Sequence, residues 1–209
     1  MPDSPVVHVI DDDDALRDSL SFLLSSADIP VVTYPSATEF LQVLPDISTG
    51  CVVTDIRMPG MSGLELLRHL KESGSPLQVV VITGHGDVPL AVEAMRLGAA
   101  DFIEKPFDDE VFIASVRTAI ARQKQADQSH ALKTEVQKRL DTLSDRERQV
   151  LDGLVAGHPN KRIAFDLGIS PRTVEIYRAN MMTKMHAGSL SDLVRMALLA
   201  GAEPPAADK

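Results

Sequence analysis

Asp11, Asp12, Asp55, Thr83 and Lys105 are the residues of this 209-residue chain whose types and order could do chemistry. Each stands at or just past the end of a short apolar run: VVHVI before Asp11, CVVT before Asp55, VVVI before Thr83 and DFIE before Lys105. If those runs are parallel strands of one sheet, their carboxyl ends share a rim, and three carboxylates, a hydroxyl and an ammonium converge there. Packed carboxylates repel one another unless a cation is present. A hard, oxygen-seeking Mg2+ suits the set, because it keeps several waters and takes few protein ligands. One carboxylate then remains as nucleophile for a phosphoryl group, while the metal, Thr83 and Lys105 offset charge on its oxygens.

Taken singly, each residue has a plainer use. A run of aspartates at 11–14 fits a solvated helix N-terminus, and Asp13 and Asp14 are assigned to that. A threonine can end a strand, a phenylalanine such as Phe102 can fill a core, and a lysine can face solvent. It is the combination in one order, at separations of 44, 28 and 22 residues, that carries the chemical reading. An aspartyl-phosphate phosphohydrolase is the enzyme alternative, but such enzymes want a second acid two residues after the nucleophile, and Arg57 holds that position. Arg57 and His85 flank the site and are expected to tune how fast an acyl phosphate hydrolyses.

A second set lies near the other end. Asn160-Lys161 and Ser170-Pro171-Arg172-Thr173 flank a Gly-Ile-Ser turn. Arginine suits phosphate or guanine, threonine suits phosphate, and small apolar side chains suit thymine methyls.

The elements that must position these residues follow from periodicity. Strands are predicted at 6–10, 31–34, 51–54, 79–83 and 101–104, with helices near 15–26, 36–44, 63–72, 88–98 and 108–122. That alternation predicts an α/β domain over 1–122, a five-stranded parallel sheet with helices on both faces. Ligands of such sheets sit at the carboxyl ends of the strands, near a topological switch point. Residues 123–140 are polar without Gly or Pro, and read as a linker, either a helical extension or disordered. No strand pattern follows. Ser144 to Glu147 form a capping box opening a helix to about 156; further helices are predicted at 160–167, 171–185 with Pro171 at its first position, and 189–200. Val174, Met181 and Met185 make one apolar stripe, while Arg172, Glu175, Arg178, Ala179 and Met182 face elsewhere. Residues 141–202 therefore read as an all-α helix-turn-helix domain, and 203–209 as a disordered tail.

Charge divides the same way. Net charge is −9, but residues 1–137 hold 10 Lys/Arg against 21 Asp/Glu, and residues 138–209 hold 11 against 9. An acidic module and a separate nucleic-acid module account for this better than one domain does. Apolar residues make up 44%, enough for two cores, yet no run is long enough to span a bilayer. The acidic N-terminus lacks the basic start of a signal peptide. A lone Cys51 excludes an internal disulfide and fits the cytoplasm, and the six histidines lack metal-ligand spacing.

Asp11-Asp12, VTDIRMPGMSG around Asp55, VITGHGD from Val81 and DFIEKPF from Asp101 together resemble the receiver domain of two-component response regulators, over residues 5–122. The stretch from Leu143 to Met185 resembles the LuxR-type helix-turn-helix, over about 140–202. The pair is similar to the NarL/FixJ subfamily, nearest to its nitrogen-fixation regulators. The resemblance implies that Asp55 is the phosphoacceptor, that Asp11, Asp12, Asp55 and the Arg57 backbone carbonyl surround Mg2+, and that Thr83 bonds a phosphoryl oxygen. It also implies an aromatic switch at Phe102, a phosphate ion pair at Lys105 and a cis bond to Pro106. For DNA it implies Arg172, Thr173, Ile176, Arg178 and Lys184, with Asn160 and Lys161 on phosphates. Glu175 departs from the subfamily, which often has a basic residue there, and leaves the base code open. The implied partners are a sensor histidine kinase, double-stranded promoter DNA and RNA polymerase. A homodimer is expected on phosphorylation, formed through Val88, Leu90, Val92 and Met95, and no membrane is involved. A regulator that binds DNA without phosphorylation is the alternative; the intact acidic set argues against it.

Overall fold

The computed structural model describes residues 5–84 and 88–201; His85 and the tail from residue 203 lie outside them. In chain order the first part runs β1 (Val7–Ile10), α1 (Asp14–Ser26), β2 (Val31–Tyr34), α2 (Ala37–Val43), β3 (Cys51–Asp55), α3 (Gly63–Glu72), β4 (Gln78–Thr83), α4 (Val88–Leu97), β5 (Asp101–Glu104) and α5 (Asp109–Leu140). It continues with α6 (Asp145–Val155), α7 (Asn160–Leu167), α8 (Pro171–Met185) and α9 (Leu190–Leu199). Among the described residues no helix is long and apolar enough to cross a membrane.

The strands form one parallel sheet in the order β2-β1-β3-β4-β5. The chain steps outward from β1 to β2, then crosses back to β3, so the switch point falls between β1 and β3. Ile10 pairs with Thr54 and Asp55 with Ile82, which sets the ends of β1, β3 and β4 side by side. Side chains alternate across the sheet. Val7, Val9, Cys51, Val53, Val80 and Ile82 pack on one face with Leu20 and Leu24 of α1 and Phe112, Val116 and Ala119 of α5. Ile10, Val52, Val79 and Val81 pack on the other with Phe40, Leu66, Leu67, Leu70 and Ala94. Burial pushes the Cys51 thiol up to about 12, so it is a core residue without nucleophilic character.

Local chemistry sets the ends. Asp13 caps α1 by accepting from the Ala15 and Leu16 amides at 2.9 and 3.2 Å. Ser62 and Glu65 close a capping box on α3. Helix α2 stops one residue short of the predicted 44, because Leu44–Asp46 tightens into a 3-10 turn around Pro45, which has no amide to donate. Gly63 is required by close approach: a Cβ there would lie 2.1 Å from the Asp55 carbonyl oxygen.

Two compact units divide the chain at residues 127 and 128. The segment 123–140, expected to link two domains, lies in α5. Residues 128–135 are exposed, but Val136 and Leu140 are buried in the second unit's core with Val150, Leu151, Ile163, Val174, Met181, Met185 and Leu193. The end of α5 is thus an element of that unit.

Two consequences can be measured. Gly63→Ala must push the Asp55 peptide aside and should cost about 1–3 kcal/mol in urea denaturation; an unchanged midpoint would contradict the close approach. His8 on β1 is 5% exposed, and burial lowers its pKa from 6.5. The fold holds the neutral ring while the unfolded chain takes up a proton, so stability is full above that value and falls as pH drops below it. Denaturation midpoints should decline with acid below about pH 6.5, and less steeply in His8→Phe; identical profiles would acquit His8.

Candidate functional site

Asp11 and Asp55 follow or end neighbouring strands and face one another across a single cation. Lys105 Nζ, just past β5, lies 2.7 Å from Asp55 Oδ1 and 3.1 Å from Asp11 Oδ2. The second oxygen of each carboxylate is held by the backbone amide two residues on: Asp13 N to Asp11 Oδ1 at 2.9 Å, and Arg57 N to Asp55 Oδ2 at 2.6 Å. The same local turn is used twice. Both aspartates are buried, and Asp12 between Asp11 and the start of α1 is exposed. Thr83 is buried at the end of β4, and its carbonyl accepts from the Lys105 amide at 2.7 Å. The Lys105–Pro106 bond is cis. Phe102 is half-buried against the core on the α4 side.

Two carboxylates share one ammonium, and the charge balance shows it. Burial pushes the Asp11 carboxyl up, the Asp13 amide and Lys105 pull it down, and the Asp55 charge adds to the rise. For Lys105 burial works against the charge, but the hydrogen bonds it donates to Asp55 and Asp11 prevail and hold the ammonium above its usual range. Among the described residues no three acidic, histidine or cysteine side chains gather into a ready metal cluster. A pair of half-compensated carboxylates suits a hard cation that keeps most of its water, so the donor set fits Mg2+.

In the second unit, α7 and α8 are joined by a turn at Gly168, which takes the left-handed conformation with φ of 65°. Pro159 precedes α7 and gives its first amides no side-chain cap. Ser170 caps α8, accepting from the Thr173 amide at 3.1 Å and meeting its hydroxyl at 2.8 Å. Val174, Met181 and Met185 are fully buried, the inward stripe expected. Lys161, Arg172 and Glu175 are exposed, and Ile176 is 54% exposed. Arg178 and Lys184, expected on DNA, are engaged within the unit. Arg178 donates to Asn160 Oδ1 at 3.0 Å, and Lys184 Nζ meets Glu147 Oε2 at 2.6 Å.

Residues 7–117 match the family model for the response regulator receiver domain, and 141–197 that for bacterial regulatory proteins of the luxR family. The transcriptional regulatory protein FixJ of Azorhizobium caulinodans is 60% identical over 98% of this chain and 97% of its own. The chain belongs to the NarL/FixJ family of response regulators. Full-length FixJ from B. japonicum, at 54% identity, superposes with a TM-score of 0.59 over 95% of this chain and 98% of its own. The response regulator StyR, at 37% identity, gives 0.81 over 94% and 99%. Response regulators of this family are transcriptional regulators with a receiver and a DNA-binding domain, not enzymes in the usual sense.

Sequence reasoning missed three residues around these sites. Arg17 donates to the Asp11 carbonyl at 2.7 Å and pairs with Asp14, bracing the first strand's end. Its one signal was a basic residue one turn into the helix after an acidic run. Glu147 was read only as a capping residue, although it is 3% exposed and paired with Lys184. Arg139, inside the presumed linker, donates to the Met185 carbonyl at 3.1 Å.

The shared-cation arrangement fixes the direction of two titrations. Carboxyl 13C shifts should place the Asp11 pKa higher still in Lys105→Met and lower in Asp55→Asn. An Asp11 titration unmoved by either change would mean that the three groups do not interact in solution.

Proposed function

We propose that this regulator is switched by phosphorylation of Asp55 and then acts on promoter DNA. The observation that supports it most is the pairing of Asp55 and Asp11 through one ammonium, Lys105 Nζ, at the carboxyl ends of neighbouring strands. Asp55 attacks the phosphorus of a phosphohistidine on a sensor histidine kinase; the phosphorus–nitrogen bond breaks and the phosphoryl group moves to Asp55. Asp11, Asp12, Asp55 and the Arg57 carbonyl would hold Mg2+, which when bound neutralises charge on the transferring oxygens. Lys105 exchanges its carboxylate partner for the phosphoryl group, Thr83 closes on another oxygen, and Phe102 turns inward behind it. Arg57 flanks the phosphoryl group and sets its lifetime.

Two receivers then pair through α4. Val88, Val92 and Met95 are exposed on that helix, at 74%, 43% and 51%, which is apolar surface in want of cover. Leu90 is half-buried toward the core and contributes less of that face. A symmetric dimer presents two α8 helices to successive major grooves, so two weak binders become one strong one. Asn160 and Lys161 meet phosphates at the uncapped start of α7, and Arg172, Thr173 and Ile176 face the groove. By its resemblance to FixJ-type regulators the protein works in the cytoplasm as an activator, with RNA polymerase as partner and nitrogen-fixation or low-oxygen genes as targets.

Light scattering with Mg2+, with and without acetyl phosphate or beryllofluoride, tests this. Wild type should pass from monomer to dimer, while Asp55→Asn and Val92→Asp should stay monomeric. A phosphorylated Asp55 with no change in size would sink the dimer step and point to release of a masked DNA-binding domain. Arg57→Ala should change the rate of phosphate loss in the same preparations, and an unchanged rate would remove Arg57 from that role.

A further inference from the structure

Helix α8 carries Arg172, Arg178 and Lys184 as its basic residues, and two of the three are tied inside the unit. Arg178 holds Asn160 at the start of α7, and its Nε is buried without a partner among the described residues. Lys184 holds Glu147, which at 3% exposure also accepts from the Ser144 amide at 2.8 Å and hydroxyl at 3.0 Å. The ammonium reaches the Thr142 carbonyl at 3.3 Å as well. Arg139, on the last turn of α5, closes the C-terminal end of α8 through the Met185 carbonyl, and Val136 and Leu140 seat that turn in the core.

We infer that Arg178, Lys184, Glu147 and Arg139 are positioning residues that fix α8 against α7, α6 and the end of α5, and that neither Arg178 nor Lys184 contacts DNA phosphate. The inference rests on the reading of α8 as the helix that enters the groove. Its physical basis is charge balance. Burial pushes the Glu147 carboxyl up, yet the Lys184 hydrogen bond and the Ser144 cap together hold it below its usual range, so the carboxylate is ionised and needs its ammonium. Lys184 moving to a phosphate would leave a buried carboxylate unpaired, a severe penalty. Side chains aimed at base edges tolerate errors of only about 0.5 Å in their supports. Polar contacts at Arg178, Lys184 and the Met185 carbonyl add directional restraint to the C-terminal half of α8 beyond its apolar packing.

Salt dependence separates the two roles. Each phosphate contact contributes roughly 0.9 to the slope of log affinity against log salt, whereas a positioning residue changes affinity and leaves the slope alone. The full-length protein would be assayed on a duplex selected from a random pool with wild type, against a scrambled duplex. Lys161→Met should lose about one contact's slope. Lys184→Met and Arg178→Met should weaken binding about tenfold or more, narrow the preference for the selected duplex, and keep the wild-type slope. Glu147→Gln decides most: removing a negative charge would tighten binding if Glu147 merely repelled DNA, but it should weaken binding as Lys184→Met does. Lys184→Arg should restore binding. Glu147→Gln with Lys184→Met, a neutral pair, should do no more harm than either change alone, and circular dichroism on each variant separates misplacement from unfolding. A slope reduced by about 0.9 in Lys184→Met, together with unchanged or tighter binding in Glu147→Gln, would overturn the inference. Arg172→Met without effect on affinity or preference would instead remove α8 as the reading helix, and the inference with it.

Discussion

The receiver depends on one ammonium shared by two carboxylates. Lys105 is brought to Asp11 and Asp55 by the order of the strands: β1 and β3 are neighbours at the switch point, and β5 delivers the lysine from the sheet's edge. Like charges a few ångströms apart inside a protein destabilise it unless compensated. Burial displaces the Asp11 carboxyl upward although two donors hold it, and the Asp55 charge adds to the rise. A site left with excess negative charge draws a cation. On the proposed reading, receptivity to a cation and to a phosphoryl group comes from this excess of carboxylate over ammonium, and both aspartates are anchored through their own backbone turns.

Much of this was legible in sequence because the relevant information is local or periodic. Strand runs, the alternation of helices, the capping box at Ser144 and the proline opening α8 depend on residues within a few positions of one another. The acidic site was legible for a different reason: parallel strands bring their ends together whatever lies between, so residues at 11, 55, 83 and 105 could be placed on one rim without knowing any contact. What stayed hidden involves single long-range pairings with no repeating pattern. Lys184 is 37 residues from Glu147, and Arg178 is 18 from Asn160. Nothing in the identity of a basic residue on a groove-facing helix tells whether it faces outward or is tied down.

The end of α5 was hidden by dilution. Residues 123–140 are polar overall, and Val136 and Leu140, one turn apart on one face, are the apolar residues of that segment buried in the second unit's core. Leu132, Val136 and Leu140 recur at helical spacing, but Leu132 is exposed, and so short a period in a polar stretch is hard to separate from a solvated helix. Arg139 meets Glu135 on its own helix and the Met185 carbonyl far along the chain, and only the first of these is a local pairing. A segment read as a linker by composition therefore includes a last turn that packs in the second unit's core.

The two units use one device in opposite ways. In each, a buried carboxylate is held by a nearby backbone amide and by a distant lysine: Asp55 by Arg57 N and Lys105, Glu147 by Ser144 N and Lys184. In the receiver one lysine serves two acids, and each of the four carboxylate oxygens accepts from one donor. In the helical unit Lys184 and both Ser144 donors converge on one oxygen of Glu147, and the ammonium also reaches the Thr142 carbonyl. On the proposed reading, sharing suits the first to exchange partners when a phosphoryl group arrives, and convergence on one oxygen suits the second to hold a reading helix in place.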